Sequence, residues 1–293
     1  MINEVVHYQL MNGRARAVIV LNTEITKEAV ARHGMDPIAT IALGRALACV
    51  AALASTLKQA HEYVQLIIDG GGPLGKIVVD CNGEGHCRGY TTIKQLKTVI
   101  SDAENLPGSV GEAVGTDGIL VLTRGRAGVR EPYKTIAELA NGEIATDVAR
   151  YLLESDQIPS ALAAGVHINT EGEVLGSGAV LVQQLGGQLL EEKELDALEA
   201  RMNKLNISDR IARGETADQI IAYVSGDDDS VELLGRKTLS FECGCSKEKM
   251  ANALHALGKE ELESILRDIG KIEATCPYCG VAHQFQIHEL LNH

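Results

Sequence analysis

The chain has 293 residues, of which 45% are hydrophobic, and its formal net charge at pH 7 is −13. This length allows two or three compact units, and the acidic charge argues against proteins that grip nucleic acid through its phosphates. Aromatic side chains, on which nucleic-acid bases stack, are scarce, with seven Tyr, two Phe and no Trp.

The seven cysteines, four of them in a C-terminal cluster, do not resemble the disulfide framework of a secreted protein. The segment after Met1 lacks the basic region and apolar run of a signal peptide. The longest apolar stretch, residues 38–57, carries Gly44 and Arg45 near its middle, and an arginine is costly in lipid. We therefore predict a cytoplasmic protein with no membrane partner, in which this stretch is a buried helix.

Hairpin signals dominate the N-terminal part of the chain. Two apolar runs, Val5–Leu10 and Ala15–Leu21, flank Asn12-Gly13, a dipeptide typical of tight hairpins. Asp36-Pro37 then opens the Ala-rich helix, with aspartate as the N-cap and proline at the first helical position. Since further strand and helix patterns follow, we predict that residues 1–186 form a hairpin-rich α+β core domain.

Gly70, Gly72 and Gly75 match the spacing of a dinucleotide-binding fingerprint. That fingerprint requires a helix N-terminus directly after the glycines, to hold the pyrophosphate. Here a β-rich run, Lys76–Asp80, follows at once, and Pro73 lies inside the loop. We interpret these glycines as a hairpin turn without a cofactor.

The other cysteines carry weaker signals. Cys81, His86 and Cys87 could contribute to a metal site, but no fourth ligand is near in the sequence, so we interpret them as strand-end residues. Cys49 is interpreted as a small buried hydrophobic residue of the long helix. Further along, Val174–Gln184 is predicted as a strand whose internal glycines suggest bends.

Residues 187–236 have a different character. A narrow apolar stripe, Leu195, Leu198, Met202 and Leu205, lies among many charged residues. This pattern predicts a helical, amphipathic linker with little core of its own, and the alternative is a solvated linker that is simply packed on its neighbour. Because such helices depend on the surface that they pack against, we expect them to open early.

Residues 237–293 contain two close cysteine pairs, Cys243 with Cys245 and Cys276 with Cys279, separated by 30 residues. Two such pairs on separate turns supply the four thiolates of a tetrahedral zinc site. We therefore predict a small C-terminal zinc-binding domain in which four cysteines hold one Zn²⁺ per chain.

The flanks of the cysteines fit such a domain. Alternation over Leu239–Cys243 predicts a strand that runs into the first pair, and Cys276–Gly280 is predicted as a hairpin turn. Ser246 can cap a helix after the first pair, and a second helix is predicted over residues 262–269.

Two interpretations of the zinc site remain open. Four thiolates leave no open coordination position on zinc for water, so the site does not hydrolyse a substrate. It could be a structural staple, that is, a site that only stabilises the fold of the domain. It could instead be a redox switch, because peroxide and hypohalous acids attack thiolates. Oxidation to Cys243–Cys245 and Cys276–Cys279 disulfides would remove the zinc ligands, and zinc supplies about 10–16 kcal/mol of folding free energy in small zinc modules.

The C-x-C and C-x-x-C pairs belong to a set of motifs spread over essentially the whole chain. The others are Arg32–Gly34, Ala42–Arg45, Gly72–Gly75, Arg88–Tyr90, Glu131–Tyr133, Gly142–Ala145 with Asp147, and Tyr151–Pro159. In these motifs the sequence resembles the Hsp33 family of redox-regulated holdase chaperones, and the cysteine pairs are the most specific mark of the resemblance. The sequence departs from the family pattern at Asp156, where glutamate is usual, at Cys87, where an apolar residue is usual, and at residues 185–187, which lack a proline.

The resemblance implies an ATP-independent chaperone, not an enzyme, with Cys243, Cys245, Cys276 and Cys279 as zinc ligands and redox sensors. Oxidation would release zinc, unfold the zinc domain and the linker, and let the protein bind unfolding clients as a dimer. We interpret His255 and His283 as ordinary residues rather than substitute ligands. The alternatives are an enzyme or a nucleic-acid-binding protein in which zinc is only a staple.

Overall fold

The computed structural model describes residues 2–96, 109–129, 131–186, 190–226, 230–255 and 272–286, and single residues at 258, 262, 264 and 290. The chain divides into two compact units, Met1–Phe241 and Glu242–His293, which we call the core unit and the C-terminal unit. The finer division into residues 1–186, 187–236 and 237–293 stays a prediction. The second predicted helix of the C-terminal unit falls largely outside the described residues.

The described helices and strands confirm the predicted α+β class. The strands are β1 (Glu4–Leu10), β2 (Ala15–Leu21), β3 (Glu62–Asp69), β4 (Ile77–Asn82), β5 (His86–Thr91), β6 (Ile119–Arg126), β7 (Tyr133–Glu138), β8 (Ser160–Ile168), β9 (Val174–Gln184), β10 (Glu232–Thr238), β11 (Ser240–Phe241), β12 (Ile272–Thr275) and β13 (Ala282–Phe285). The helices are α1 (Thr23–His33), α2 (Pro37–Ala54), α3 (Val110–Val114), α4 (Ala145–Glu154), α5 (Glu192–Asn203), α6 (Ile207–Ala212), α7 (Ala217–Ser225) and α8 (Lys247–His255).

The described residues of the core unit form two sheets. The first has the strand order β10-β1-β2-β9-β8, and the second has the order β11-β5-β4-β3-β6-β7. Helix α2 contacts strands of both sheets and forms the centre of the main hydrophobic cluster. It begins where the sequence predicts, because the Asp36 carboxylate accepts a 2.8 Å hydrogen bond from the backbone N–H of Ala39.

Helix α2 is long and apolar enough to cross a membrane by length and composition, but 89% of it is buried inside the fold. Its one charged residue, Arg45, is 9% exposed and donates a 2.6 Å hydrogen bond to the carboxylate of Glu143. A buried arginine is stable only with such a partner. The prediction of a buried core helix is confirmed.

The glycine-rich segment after β3 is a turn, as predicted. Strands β3 and β4 pair antiparallel, with Ile68 opposite Ile77. The backbone N–H of Gly72 donates to the carbonyl of Val114 at 2.9 Å, and a Cβ at Gly72 would lie only 2.5–2.6 Å from backbone atoms of residues 113 and 114. These glycines therefore let two backbone segments approach each other, and strand β4 follows them instead of a helix.

Helices α5, α6 and α7 lie on the first sheet, and together we call them the linker helices. Their buried side chains, Leu198, Met202, Ile207, Ile211, Ile220, Ile221 and Val224, belong to one hydrophobic cluster with sheet residues that include Val6, Tyr8, Leu10, Ile19, Val180 and Val182. The linker helices thus cover an apolar sheet face, and that face supplies the core that their own narrow stripe lacks.

Three glycines make this close packing possible. Gly165, Gly176 and Gly178 lie on β8 and β9 beneath α6. A Cβ at Gly176 would lie 2.3 Å from the carbonyl oxygen of Ser208 and 2.6 Å from the backbone nitrogen of Ala212. The register of β8 and β9 shifts beside Gly176, where His167 pairs with Gly176 and Ile168 pairs with Val174, so the predicted irregularity is present there. Gly176 also gives α6 room to lie directly on the sheet.

A polar contact fastens α7 to the edge of the first sheet. The hydroxyl of Tyr8 donates a 2.6 Å hydrogen bond to the carboxylate of Asp218, and Arg236 of β10 donates to the same carboxylate at 2.5 Å. The Tyr8 hydroxyl, with Arg236, holds the pKa of Asp218 below its usual value of 3.8. Because the folded-state pKa is lowered, the contribution of this carboxylate to stability is present above pH 3.8 and is lost as pH falls further.

We expect the variant Asp218→Asn to lose less stability than the wild type between pH 5 and pH 3. The Asp218 side chain is 58% exposed, so solvent screening keeps the difference below about 1 kcal/mol. The measurement is the free energy of unfolding in urea at both pH values. Asp196→Asn, an exposed change on α5, is the matched control. An equal pH dependence in wild type and Asp218→Asn would show that this contact does not stabilise the fold.

Candidate metal centre

The second cysteine pair lies on the turn between β12 and β13. These strands pair antiparallel, with Thr275 opposite Ala282, which confirms the predicted hairpin. The backbone N–H of Gly280 donates to the carbonyl of Cys276 at 2.9 Å, and the backbone N–H of Cys276 donates to the carbonyl of Val281 at 2.9 Å. Gly280 has φ of +73°, a conformation that a side chain disfavours, so glycine closes the loop behind the sulfurs.

The first cysteine pair lies between β11 and α8. Strand β11 covers only Ser240 and Phe241, so the prediction of a strand that continues to Cys243 is wrong. The Ser246 hydroxyl accepts a 3.2 Å hydrogen bond from the backbone N–H of Lys249 and caps α8, as predicted. The loop is therefore held by its own cap rather than by a strand.

The four sulfurs of Cys243, Cys245, Cys276 and Cys279 all lie within 4.8 Å of one another. The Cys243 and Cys276 sulfurs are 3.7 Å apart, and those of Cys245 and Cys279 are 3.3 Å apart. Sulfurs at about 2.3 Å from a tetrahedral Zn²⁺ lie about 3.8 Å from one another. The donor set and its spacing therefore fit a metal ion with four thiolate ligands.

The surroundings of these sulfurs favour a cation. Burial raises the pKa of Cys245 to about 12, and the nearby Cys279 and Cys243 sulfurs contribute to this rise. Burial also raises the pKa of Cys276, although the backbone N–H groups of Cys279 and Tyr278 favour its thiolate. The Cys245 and Cys276 thiols thus resist ionisation by themselves. A bound divalent cation removes that cost, because it ionises a coordinating thiol.

A small apolar cluster supports the centre. Leu262, Ile272, Phe285 and Leu290 are buried together in the C-terminal unit, with Met250, Ala251, Leu254 and Ala274 packed against them. His255 Nε2 lies 2.9 Å from the carbonyl oxygen of Leu290, and among the described residues the cluster of candidate ligands contains neither His255 nor His283. A unit as short as Glu242–His293 is usually too small to be stable through its apolar core alone, and a metal ion can supply a further contribution.

The remaining cysteines lie in the core unit. Cys49 is fully buried on α2, which raises the pKa of its thiol to about 12. Cys81 and Cys87 occupy the predicted strand ends, but they also face each other across the β4–β5 hairpin. This contact is not among the features predicted from the sequence, although the two cysteines flank a short turn with two glycines, Gly83 and Gly85, which is a hairpin signal.

Known proteins with similar sequences show which family has this architecture. The family described as "Hsp33 protein" matches residues 3–286. A 33 kDa chaperonin of Gloeothece citriformis is 36% identical over 97% of this chain and 94% of its own length. A 33 kDa chaperonin of Symbiobacterium thermophilum is 37% identical over 95% of this chain and 92% of its own length.

A solved structure supports the same assignment. The crystal structure of the 33 kDa chaperonin (heat shock protein 33 homolog) of Thermotoga maritima has a TM-score of 0.86 and 28% identity. The match covers 100% of this chain and 97% of that one. A two-sheet core unit with a separate four-cysteine unit, in a chain whose relatives are chaperonins, defines a chaperone with a candidate metal centre. The chain belongs to the Hsp33 family.

Proposed function

We propose that the protein is a redox-regulated, ATP-independent holdase that binds unfolding proteins after its zinc-bound cysteines are oxidised. The cysteine geometry supports this proposal, because four sulfurs within 4.8 Å of one another form a single centre whose ligands oxidation would remove. Bound Zn²⁺ keeps the four sulfurs ionised, and thiolates are the species that react with peroxide. One Zn²⁺ per chain is proposed for the reduced state.

We place the resulting disulfides within the two pairs, as Cys243–Cys245 and Cys276–Cys279. The folded sulfurs are also close across the pairs, so folded geometry alone does not decide the pairing. Cysteines that are near in sequence stay close to each other after a first oxidation has opened the C-terminal unit, whereas the contacts across the pairs are lost, although the Cys243–Cys245 ring is the more strained of the two. Each disulfide removes two ligands, and the small cluster around Phe285 then has no metal to hold it.

The client surface is proposed to lie under the linker helices. They hide an apolar sheet face that includes Val6, Leu10, Ile19 and Val180, all fully buried. A large apolar surface that is covered at rest and free after a trigger suits reversible binding of unfolding chains. The oxidised protein is proposed to act as a dimer in the cytoplasm, with unfolded proteins as partners and without nucleic acid, membrane or catalytic turnover.

The test couples zinc release to holding activity. Zinc is followed with a chromogenic chelator and client aggregation by light scattering, before and after peroxide treatment at elevated temperature. We expect about one zinc per chain to leave, with aggregation suppressed only after oxidation. If zinc stays bound, or leaves without any gain in holding activity, the centre is a structural staple. Addition of thiol reductant and zinc to the oxidised protein should restore the inactive state.

A further inference from the structure

Cys81 and Cys87 form a second close pair of thiols, far along the chain from the candidate metal centre. They are direct partners in the antiparallel β4–β5 ladder. Their sulfurs are 2.7 Å apart, and each residue is 1% exposed. Two thiols at this separation are nearly at bonding distance already.

The backbone at this pair suits a disulfide. The backbone N–H of Thr92 donates to the carbonyl of Lys76, and hydrogen-bonded pairs alternate with non-hydrogen-bonded pairs along the ladder. By this alternation Cys81 and Cys87 form a non-hydrogen-bonded pair, in which the Cα atoms lie about 4.5 Å apart. Disulfides span Cα separations of about 4.4–6.8 Å, so the bond can form without a change in register.

The pair is protected while the fold is intact. The hydrogen bond to Cys81, together with burial, raises the pKa of Cys87 well above its ordinary value. The thiol is therefore protonated at neutral pH, and protonated buried thiols react slowly with oxidants.

Residues 237–241, which we call the covering segment, shield one end of this hairpin. Strand β11 pairs parallel with β5, and Phe241 lies opposite Cys87. The Lys237 ammonium donates to the carbonyl of Gly83 at 2.9 Å, and the backbone N–H of Ser240 donates to the carbonyl of Gly85 at 3.0 Å. Only one residue separates Phe241 from the candidate ligand Cys243 in sequence, so the covering segment is the chain that leads into the metal centre.

We propose that Cys81 and Cys87 are a second redox pair, which closes to a disulfide when the covering segment leaves the edge of β5. Hydrogen peroxide is the oxidant: its O–O bond breaks, a sulfur–sulfur bond forms, and the two thiol protons end in two molecules of water. The sulfurs lose the two electrons that the peroxide gains. Release of the covering segment rests on the proposed unfolding of the C-terminal unit, whereas the disulfide geometry does not.

The disulfide would have a clear role in the oxidised protein. Departure of β11 leaves β5 as an exposed edge strand, and such edges open and pair with other chains. A bond between β4 and β5 keeps this hairpin closed while the C-terminal unit is unfolded. The core unit would thus stay folded under the conditions that activate the chaperone.

The test maps the thiols of the full zinc-loaded chain after peroxide treatment. Cleavage after Glu84 separates Cys81 from Cys87 unless a disulfide joins the fragments, and mass spectrometry then reports both states. We expect most chains that have lost zinc to carry the Cys81–Cys87 link, with Cys49 still a thiol. The proposal would be overturned if Cys81 and Cys87 remained free thiols in chains that had lost zinc and formed the Cys276–Cys279 disulfide. That result would leave the proposed function intact.

A second experiment tests the role of the covering segment independently of zinc release, in protein that keeps its zinc. Phe241→Ala weakens the covering segment without touching a candidate ligand, and Ser240→Ala is the matched control. Because local opening exposes the pair, we expect Phe241→Ala to form the Cys81–Cys87 disulfide at least about tenfold faster than wild type. Equal rates in wild type and both variants would show that the covering segment does not control the pair.

Discussion

Replacing Cys276 by serine is expected to abolish stable zinc binding and to unfold the C-terminal unit. Cys276 is buried, and its sulfur lies 3.7 Å from that of Cys243. Loss of partners outside the coordination shell already costs about 10–100-fold in metal affinity, so loss of a ligand should weaken zinc binding by more than about 100-fold. The C-terminal unit should depend on that binding energy, because a unit as short as Glu242–His293 can bury little apolar surface.

Zinc affinity by chelator competition and amide exchange over residues 272–286 measure the two effects. Thr275→Ser, an exposed change one position earlier, is the matched control and should keep its zinc. In Cys276→Ser the amides of β3 should exchange as in wild type, because that strand belongs to the core unit. Full zinc occupancy in Cys276→Ser would contradict the assignment of this sulfur as a ligand.

The variant Gly176→Ala is expected to hold clients while the protein is still reduced and zinc-bound. The added Cβ would meet backbone atoms of Ser208 and Ala212, which cannot rotate away, so α6 must lift from the sheet. Overpacking of this kind costs about 1–3 kcal/mol, which corresponds to a roughly 5–150-fold increase in the undocked population. The measurement is suppression of client aggregation by light scattering with thiol reductant and zinc present.

Gly186→Ala is the matched control, since no atom of the described residues lies within 4 Å of the Cβ that it would add. Both variants should retain about one zinc per chain, because neither change lies in the C-terminal unit. If amide exchange shows α6 released in Gly176→Ala and no client is held, then the client surface is not the sheet face beneath the linker helices.

The sequence predicts those parts of the fold that depend on neighbouring residues. Asn12-Gly13 marks the β1–β2 connection and Asp36 caps α2, because turns and caps are set within a few residues. The cysteine pairs could be predicted for the same reason, since each pair lies on one tight loop. The four sulfurs lie within 4.8 Å of one another only because two segments about thirty residues apart meet in the fold. The spacing of the cysteines in the sequence suggests this meeting but does not determine it.

The remaining features depend on contacts between distant residues. The close contact between Gly176 and α6 could not be predicted, because the helical neighbour Ser208 lies over thirty residues away in sequence. Strand β11 joins β5 as a parallel two-residue pair across about 150 residues, and no local periodicity indicates such a partner. The linker helices are amphipathic, as predicted, but the surface that they cover could be identified only in the folded chain.

Under the proposed function, the covered sheet face affects how tightly clients bind. The linker helices and that face belong to one chain, so the helices act as a tethered competitor with an effective concentration in the millimolar range. If this face is the proposed client surface, an unfolding protein must displace the competitor, and its apparent affinity falls in proportion to the fraction of chains in which the face is free. Oxidation would then raise the client affinity of a surface that is already present in the reduced protein. A chaperone of this kind whose linker helices dock more weakly would be activated by milder oxidation.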